Sequence, residues 1–351
     1  MSTETMLLDE AIVAALPVSA GSKVTSVTRH GETNWSTGVK IDVTTGDETK
    51  SFFAKLIERE DYVPMAKAEY EGQKTISAII PDHAITPIAW GHYANDHTKA
   101  WFLTHFRPLK PFHPDDESIS ELLTILKTLH HASTFPTGDF GFHTTSFFGP
   151  PPMVVDWTAD WAQFWGRELR SSLAYAQRMR GTDAELQELG ERFLDGVVPR
   201  LLVPLQTGGR AIRAGLCHGD LWDGNIQVDA ETGRVVLFDP CPFYGHCEMD
   251  LQCVRAEWGV VNHGFVKTYA SELGKSEPEA DFEDRVALYA IRNDLLTVGM
   301  YEHRVHLLER VKEEMRRLLV KHPDGLSGFE GDLTPSRDYE PESDSTPGAK
   351  L

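Results

Sequence analysis

The first third of the chain shows the alternation of apolar and polar positions that is typical of β-strands. Three runs rich in β-branched and aromatic residues are separated by polar turns that contain glycine: residues 23–29, 38–45 and 50–57. Residues 64–79 follow with helical spacing and a proline near the start, and two further strand-like runs end at residue 106. The pattern predicts a short helix within residues 1–20 and then an antiparallel sheet of about five strands with one helix.

From about residue 117 onward, the apolar positions recur with the period of an α-helix. Residues 117–133 are amphipathic, and residues 156–179 form a tryptophan-rich helical pattern. Further helical segments are predicted at the following positions: 183–206, 248–272 and 279–320. Short strand-like runs interrupt these helices only around residues 215–240. We therefore expect an α+β fold with a small β-rich N-lobe at 1–106, a connector near 104–111 and a helical C-lobe at 107–321.

The last thirty residues differ in composition from the rest of the chain. Residues 322–351 contain seven acidic and two basic residues, together with several Pro, Gly and Ser. Such a segment offers little apolar surface to bury, so composition predicts an acidic, disordered tail.

Composition and charge narrow the class of protein. The chain has 351 residues, 41% of them hydrophobic, which is enough for one large domain or for two lobes around a cleft. The net charge of -19 argues against a nucleic-acid binder, which usually presents a basic face. No apolar run reaches the roughly 18 residues of a membrane span, and no signal segment opens the chain. With only four cysteines and no CxxC pair, we expect a cytoplasmic protein with reduced thiols.

The stretch "CHGDLWDGNI", residues 217–226, carries the clearest candidate chemistry. Asp220 and Asn225 are separated by four residues, as are the base and the metal-binding amide of a kinase catalytic loop. Asp239 follows at the end of the apolar run "RVVLFDP" and supplies a second acidic group. We expect Asp220 to act as the base and Asn225 and Asp239 to bind Mg²⁺, because a hard cation prefers oxygen ligands. Asp223 is expected to cap the turn.

The predicted N-lobe offers a cation for the phosphates of a nucleotide. Lys55 lies among apolar residues on the third strand, and Glu69 or Glu71 on the following helix could pair with it, as in kinases. The alternative is an edge-strand lysine that points to water. The turn between the first two strands lacks a GxGxxG motif. Gly31, Thr33 and Asn34 are assigned to the phosphates only from their position.

Two motifs in the second lobe resemble the fructosamine-3-kinase, or ketosamine-3-kinase, family. Its loop reads H-G-D-L-W-x-G-N, and its D-P-A-x-x-x-G-H-x-E-x-D-L signature is met by the following residues: Asp239, Pro240, Gly245, His246, Glu248, Asp250 and Leu251. In the first lobe, "FFAK" at 52–55 and "MAKAEYEG" at 65–72 are similar to the family's strand and helix. The second match selects Glu69 over Glu71.

This resemblance implies a two-lobed protein-kinase-like fold of the aminoglycoside phosphotransferase type. The implied activity is ATP- and Mg²⁺-dependent phosphorylation of O3 of a ketosamine, on small molecules or on glycated proteins, which leads to deglycation. Trp222 and His218 are then assigned to the substrate side, although hydrogen bonding by His218 is expected mainly to brace the loop. In the connector, Thr104, His105 and Phe106 replace a stretch in which relatives usually carry an acidic residue. Adenine contacts there would use backbone groups.

Four other interpretations are open at this stage. A small-molecule kinase of the aminoglycoside or choline kinase type would share the fold and also accept a cationic substrate. A nucleotide-binding pseudokinase would not need the complete set of Lys55, Asp220, Asn225 and Asp239. The cysteines and histidines near residue 240 raise the idea of a zinc site, although their spacing matches no common zinc pattern. Cys241, close to Asp239, is a candidate redox switch.

Overall fold

The computed structural model describes residues 7–132, 138–255 and 259–336. Within these residues, the N-terminal lobe contains a five-stranded antiparallel sheet in the order β1-β2-β3-β5-β4. Its elements are α1 (Glu10–Ala15), β1 (Lys23–Glu32), β2 (Thr37–Thr45), β3 (Glu48–Ile57), α2 (Val63–Ile79), β4 (Pro87–His92) and β5 (Ala100–His105). The five strands and the helix at 64–79 therefore lie where the alternation of the sequence predicts them.

The sheet is held together by an apolar face that alternation places on one side of each strand. Val39 and Ile41 of β2 are fully buried, and they pack with Phe52 and Ala54 of β3 and with Ile12 of α1. The opposite side of the sheet faces the second lobe, and α2 packs across it. This arrangement points the alternate side chains of β3 toward the cleft between the lobes.

The second lobe is mostly helical. Its elements are β6 (Leu109–Pro111), α3 (Asp116–His131), α4 (Trp161–Arg180), α5 (Ala184–Arg192), α6 (Val198–Leu202), β7 (Gly215–Cys217), β8 (Ile226–Asp229), β9 (Val235–Leu237), β10 (Phe243–Gly245), α7 (His263–Glu272), α8 (Phe282–Met300) and α9 (Leu307–Lys321). α8 is buried on nearly all sides and packs against α4, where Trp161 and Trp165 are fully buried. A helix that is buried around most of its surface belongs in the centre of a domain, and α8 is the central helix of this lobe.

Short strands in the second lobe place the predicted catalytic segments. β7 pairs with β10, and β8 lies between β6 and β9. Because β6 begins only four residues after β5 ends, the chain leaves one sheet and enters the next at the connector. Arg107 fixes this crossing, since its Nε donates to Asp229 at 2.7 Å and its Nη1 donates to the carbonyl of Ala84 at 3.0 Å.

The structure corrects one prediction for the helical lobe. The helix expected at 248–272 is a 3₁₀ segment at Cys247–Arg255 and a separate helix, α7, that starts at His263. Asn262 begins α7 by accepting hydrogen bonds from the amides of Gly264 and Phe265, which a continuous helix would not allow. Sequence periodicity does not separate 3₁₀ from α, because both repeat after three to four residues.

The segment assigned to an acidic, disordered tail is ordered over its first half. Residues Gly325–Gly328 form a 3₁₀ turn, and Pro335 forms an isolated bridge with Thr207. Phe329 lies against the guanidinium groups of Arg200 and Arg210, at 5.0 and 5.4 Å. The average composition of the segment does not reveal that a single aromatic side chain packs on two arginines. The prediction of disorder from residue 322 is therefore wrong for residues 322–336. Residues 337–351 lie outside the described residues. In the described part of the chain, no helix is long and apolar enough to cross a membrane.

Candidate active site

Lys55 lies at the centre of the cleft between the lobes. Its Nζ atom is 2.6 Å from Oε1 of Glu69 and 2.8 Å from Oδ1 of Asp239. The side chain is only 14% exposed, so the alternative of an edge lysine in water is wrong. Glu71 instead faces His143, 3.7 Å away. The structure therefore brings Lys55 together with Glu69, the partner that the helix motif selected.

The charges of this cluster are strongly coupled. Burial alone would lower the pKa of Lys55, but the carboxylates of Asp239 and Glu69 raise it above its usual value. Burial would raise the pKa of Asp239, yet the ammonium group of Lys55 holds it below its usual value. Burial and the nearby Asp239 together raise the pKa of Glu69. Lys55 therefore stays charged, and two carboxyl groups compete for it.

Asp220, Asn225 and Asp239 converge although Asp239 lies on a separate strand connection. The Nδ2 atom of Asn225 donates to Oδ2 of Asp220 at 3.0 Å, to the carbonyl of Asp220 at 2.9 Å and to the carbonyl of Asp239 at 3.3 Å. Asp239 has a φ of 51°, a left-handed conformation that non-glycine residues rarely adopt. This conformation turns the Asp239 side chain from the end of β9 toward Lys55.

The donor set fits a divalent cation. The amide nitrogen of Asn225 makes three contacts within the protein, which leaves its oxygen as the atom that can bind a ligand. Burial, and then the negative charge of Asp239, raise the pKa of Asp220 to about 7. Crowded carboxyl groups with such shifts are stabilised by added positive charge, and Mg²⁺ prefers carboxylate and carbonyl oxygen.

The loop that carries Asp220 is held from behind by a buried acid. Asp250 accepts hydrogen bonds from the backbone amides of His218, at 3.0 Å, and Gly219, at 2.8 Å. His130 also contacts the Asp250 carboxylate, at 3.0 Å. Sequence analysis matched Asp250 to a family motif without giving it a role. The signal was an acidic residue placed directly between the apolar Met249 and Leu251.

His218 is part of this support and does not face a substrate. It is fully buried, and its Nε2 atom donates to the carbonyl of Phe238 at 3.1 Å. The assignment of His218 to the substrate side is therefore wrong, whereas its expected bracing of the loop is observed. Asp223, expected to cap its turn, accepts a short hydrogen bond from the amide of Val260 and so connects the loop to a neighbouring segment.

One cavity of about 350 Å³ lies between the sheet and the connector. The predicted nucleotide-side residues that line it are Gly31, Thr33, Lys55, Glu69, Thr104, His105 and Phe106. The predicted metal ligand Asp239 lines it as well. The hydroxyl of Thr33 accepts a hydrogen bond from the amide of Ser36 at 3.0 Å, which shapes the turn between β1 and β2. Asn34 does not line this cavity, since the same turn points it to the other side.

A second cavity of about 560 Å³ opens on the other side of Lys55. Asp220, Trp222, Asn225, Asn34 and the aromatic pair Trp35 and Tyr301 are among the residues that line it. The rings of Trp35 and Tyr301 lie 6.4 Å apart and connect the N-lobe turn to the end of α8. The two cavities adjoin, since Glu32, Thr33, Lys55, Glu69 and Asp239 line both of them. No pattern in the sequence indicated a role for Trp35 or Tyr301.

Trp222 is presented to the second cavity by the backbone beside it. The side chain is 41% exposed, which is unusual for tryptophan. A Cβ atom on Gly224 would lie 2.3 Å from the Trp222 ring, so only glycine permits the ring to lie across the loop. This explains why the loop places a glycine two residues after the tryptophan.

The cysteines do not form a second reactive centre. Cys241 is fully buried, and burial raises the pKa of its thiol to about 12, so the unreactive neutral form dominates. This argues against the redox-switch hypothesis. The ring of His246, another candidate zinc ligand, contacts the hydroxyl groups of Tyr289 and Ser276. Among the described residues, no group of three or more His, Cys, Asp or Glu side chains could hold a metal ion, which leaves the zinc alternative without support.

The fold and the site together define a class of protein. A β-rich lobe with a lysine–glutamate pair, a helical lobe with an Asp–Asn loop, and a strand-borne aspartate are the parts of the two-lobed kinase-like fold. A solved structure of a candidate fructosamine-3-kinase from Thermobifida fusca has a TM-score of 0.67 at 19% identity and covers 86% of this chain and 95% of that chain. An aminoglycoside phosphotransferase in a ternary complex with AMP-PNP and hygromycin B has a TM-score of 0.57 at 13% identity, with coverages of 85% and 94%.

The family follows from the sequence comparison. The family model described as fructosamine kinase matches residues 17–320, so this chain belongs to the fructosamine kinase family. Ketosamine-3-kinase from Mus musculus is 30% identical over 189 residues, which are 52% of this chain and 57% of the mouse protein. The chain spans about half the length of the curated relatives it matches first.

Proposed function

We propose that this protein is an ATP- and Mg²⁺-dependent kinase that phosphorylates O3 of ketosamines. The observation that carries the proposal is the convergence of Lys55, Asp220, Asn225 and Asp239 at the boundary of two cavities. Family membership and the ketosamine-3-kinase relative support the choice of acceptor. Elimination of inorganic phosphate from the 3-phosphate, followed by hydrolysis of the carbon–nitrogen bond, would then release the sugar part and return the free amine, which is deglycation.

The first cavity suits the nucleotide. Phe102, Phe106 and Ile85 give it apolar surface for a base, and the connector residues Thr104 and His105 supply backbone groups. Lys55, held by Glu69, would contact phosphate oxygens at the inner end. Asn225, which lines the second cavity, and Asp239, which lines both, would hold Mg²⁺ where the cavities meet. The ion would supply positive charge to the phosphoryl group that is transferred.

The second cavity suits a sugar attached to an amine. Asp220 lines it and would accept the proton of the attacking hydroxyl group, while Asn225 fixes the orientation of the Asp220 carboxylate through the 3.0 Å hydrogen bond. Trp222, Trp35 and Tyr301 offer ring faces, which bind sugar rings and attract a neighbouring ammonium group. Free ketosamines and glycated protein side chains both carry this group.

Two other functions use the same fold. The similarity to an aminoglycoside phosphotransferase supports a small-molecule kinase for another cationic acceptor. A pseudokinase is disfavoured, because Lys55, Asp220, Asn225 and Asp239 are both present and brought together. A cytoplasmic location is still a prediction from the cysteine content.

A substrate panel tests the proposal directly. Purified protein with MgATP is offered fructosyl-lysine, ribulosyl-lysine and erythrulosyl-lysine, with an aminoglycoside and choline as competing acceptors, and ³¹P NMR follows the product. We expect a sugar 3-phosphate from at least one ketosamine. Phosphorylation of the aminoglycoside or choline alone would favour the second function, and nucleotide binding without any product would favour the pseudokinase.

A matched pair of substitutions tests the nucleotide side. Glu69→Gln should raise the KM for ATP about tenfold, because Lys55 loses the partner that orients it. Glu71→Gln, two residues away on α2, should leave the KM for ATP unchanged, since Glu71 contacts His143 instead. Equal effects of the two substitutions would contradict the assignment of Lys55 and Glu69.

A further inference from the structure

Two buried arginines lie on the central helix α8, two turns apart. Arg285 and Arg292 are both fully buried, and each pairs with a buried glutamate. Burying a guanidinium group is expensive unless its donors are satisfied, so each arginine calls for an explanation. The two differ in how completely their hydrogen-bonding groups are used and in what they contact.

Arg285 is bound on all sides by the protein. It donates to both carboxylate oxygens of Glu248, at 2.7 and 2.9 Å, and to the carbonyls of Pro278 and Ser276, at 2.8 and 2.7 Å. These contacts join α8 to the segment before it. Arg285 therefore has the character of a structural arginine that stabilises the C-lobe.

Arg292 has fewer partners and a different neighbour. Its Nε donates to Glu168 at 2.8 Å and its Nη1 donates to the side-chain oxygen of Gln252 at 2.9 Å, while Nη2 has no hydrogen-bond partner among the described residues. The guanidinium carbon lies 4.9 Å from the ring of Phe148, which lines the second cavity. Stability alone would be served better by a fully satisfied group, as at Arg285.

Gln252 connects Arg292 to the catalytic loop. Its amide oxygen accepts from Arg292, and its Nε2 donates to the carbonyl of Gly219 at 2.6 Å. That carbonyl belongs to the peptide bond between Gly219 and Asp220. Glutamine has both an acceptor and a donor in its side chain, so this one residue connects the Arg292 guanidinium group to the Gly219 carbonyl.

The backbone at Gly219 needs a hydrogen bond of this kind to fix its conformation. It has a φ of +76°, and a Cβ atom there would lie 1.9 Å from the carbonyl of Cys241, so glycine is required at this turn. Glycine is also the residue with the most backbone freedom, and this freedom lies directly before Asp220. Asp250 fixes the amides of His218 and Gly219, but the Gly219 carbonyl depends on Gln252.

We propose that Arg292 is a positioning residue for the proposed phosphoryl transfer, since it orients Gln252, which in turn fixes the peptide that carries Asp220. A displacement of about 1 Å at a catalytic group can lower the rate about 10²-fold. Because the relay from Arg292 through Gln252 to the Gly219 carbonyl fixes the position of Asp220, we expect its loss to lower kcat. Arg292 does not line either cavity, and it therefore contributes little to substrate or nucleotide binding.

Matched substitutions on α8 test this role. Arg292→Lys should lower kcat about 10- to 100-fold with the KM for ATP and for the ketosamine within about threefold, because lysine can still pair with Glu168 but does not orient Gln252. Arg285→Lys should lower the Tm at least as much as Arg292→Lys does, but its kcat should stay within about threefold of the wild-type value. Equal losses of Tm without a difference in kcat would show that both arginines are structural only.

A second pair of variants tests whether Gln252 carries the effect. Gln252→Glu keeps an acceptor for Arg292 but cannot donate to the Gly219 carbonyl, so kcat should fall about as far as in Arg292→Lys. The double variant should be no slower than the slower single variant, because both changes break one relay. Rate losses that multiply in the double variant would contradict a shared relay.

A measurement without turnover keeps this inference separate from the proposed function. Hydrogen exchange of the amides of residues 218–225 should become faster in Arg292→Lys and in Gln252→Glu, and it should be unchanged in Arg285→Lys. If wild-type protein phosphorylates no ketosamine, the proposed function fails, while exchange still decides whether Arg292 holds the loop. Unchanged exchange in all three variants would overturn the proposal.

Discussion

The two faces of the catalytic loop balance their charges in different ways. On the face toward the cleft, the carboxyl groups of Glu69 and Asp239 compete for Lys55, and the neutral amide of Asn225 donates the hydrogen bond to Asp220. The pKa of Asp220 is raised to about 7. This face is left with an excess of negative charge.

On the face away from the cleft, the acid is fully partnered. Asp250 accepts from the amides of His218 and Gly219 and contacts His130. Burial would raise the pKa of Asp250, but these hydrogen bonds and the charge of His130 hold it below its usual value.

The difference shows which part of the loop changes during a reaction. A site that receives Mg²⁺ and a proton must tolerate several charge states, and carboxyl groups with raised pKa values do so. A support that has to keep one geometry needs a charge that does not titrate near neutral pH. The following experiments separate the two faces, beginning with the largest expected effect.

Asp220→Asn should abolish most turnover, since it removes the base and keeps the size of the side chain. We expect kcat to fall about 10³-fold, within the range for loss of a general base. Binding of an ATP analogue, measured by fluorescence titration, should stay within about threefold of wild type. Undiminished turnover would show that the cleft face does not contain the base.

Asp250→Asn should break the support instead. An asparagine can offer one oxygen, but its NH₂ group would face a backbone donor, and the His130 charge would lose its partner. Removing one partner of a buried pair costs about 3–5 kcal/mol, so chemical denaturation should show a loss of this size. A smaller fraction of the Asp250→Asn molecules should be able to bind the nucleotide analogue, whereas the Asp220→Asn variant should bind it as the wild type does. If Asp250→Asn were as stable as wild type, Asp250 would not support the loop, and the two faces would no longer differ in this respect.

Removal of the charge at Asp220 should also stabilise the protein at high pH. A carboxyl group with a raised pKa favours the folded state below its unfolded pKa near 4, and this contribution is lost as the pH rises to about 7. In EDTA, Asp220→Asn should therefore have the Tm of wild type at pH 4.5 and a Tm higher by about 2–4 °C at pH 8. If the variant and the wild type had the same Tm at pH 8 as well as at pH 4.5, the raised pKa of Asp220 would be contradicted.

The sequence predicted most of the cleft face and little of the support. Spacing and order identified Asp220, Asn225 and Asp239, because a loop and a buried strand fix where these side chains can point. Lys55 was found because a charged residue within an apolar strand requires a partner. Each of these signals is local in the sequence.

The support depends on contacts between distant segments. His130 meets Asp250 across 120 positions, and Arg292 meets Glu168 across 124, which no local pattern indicates. Trp35 and Tyr301 were missed for the same reason. The error at His218 has a different cause, since a histidine beside a catalytic residue has the same spacing whether it faces the cavity or the core.

His130 gives the sharpest contrast with Asp220. Burial would lower the pKa of His130, but Cys247 and Asp250 raise it to about 10. Its contribution to stability is therefore fully present below the unfolded pKa near 6.5 and is lost as the pH rises through about 10. His130→Gln should lower the Tm at pH 6, and the difference from wild type should shrink as the pH rises from about 6.5 to about 10.

The neighbouring exposed histidine provides the control. His131→Gln on the same helix should leave the Tm unchanged across this range, because His131 contacts only the carbonyl of Lys127 among the described residues. Wild-type protein labelled with ¹⁵N-histidine should show the chemical shifts of a charged imidazole for His130 at pH 8. A neutral ring at pH 8 would mean that the support face also titrates near neutral pH, and the contrast between the two faces would then rest on geometry alone.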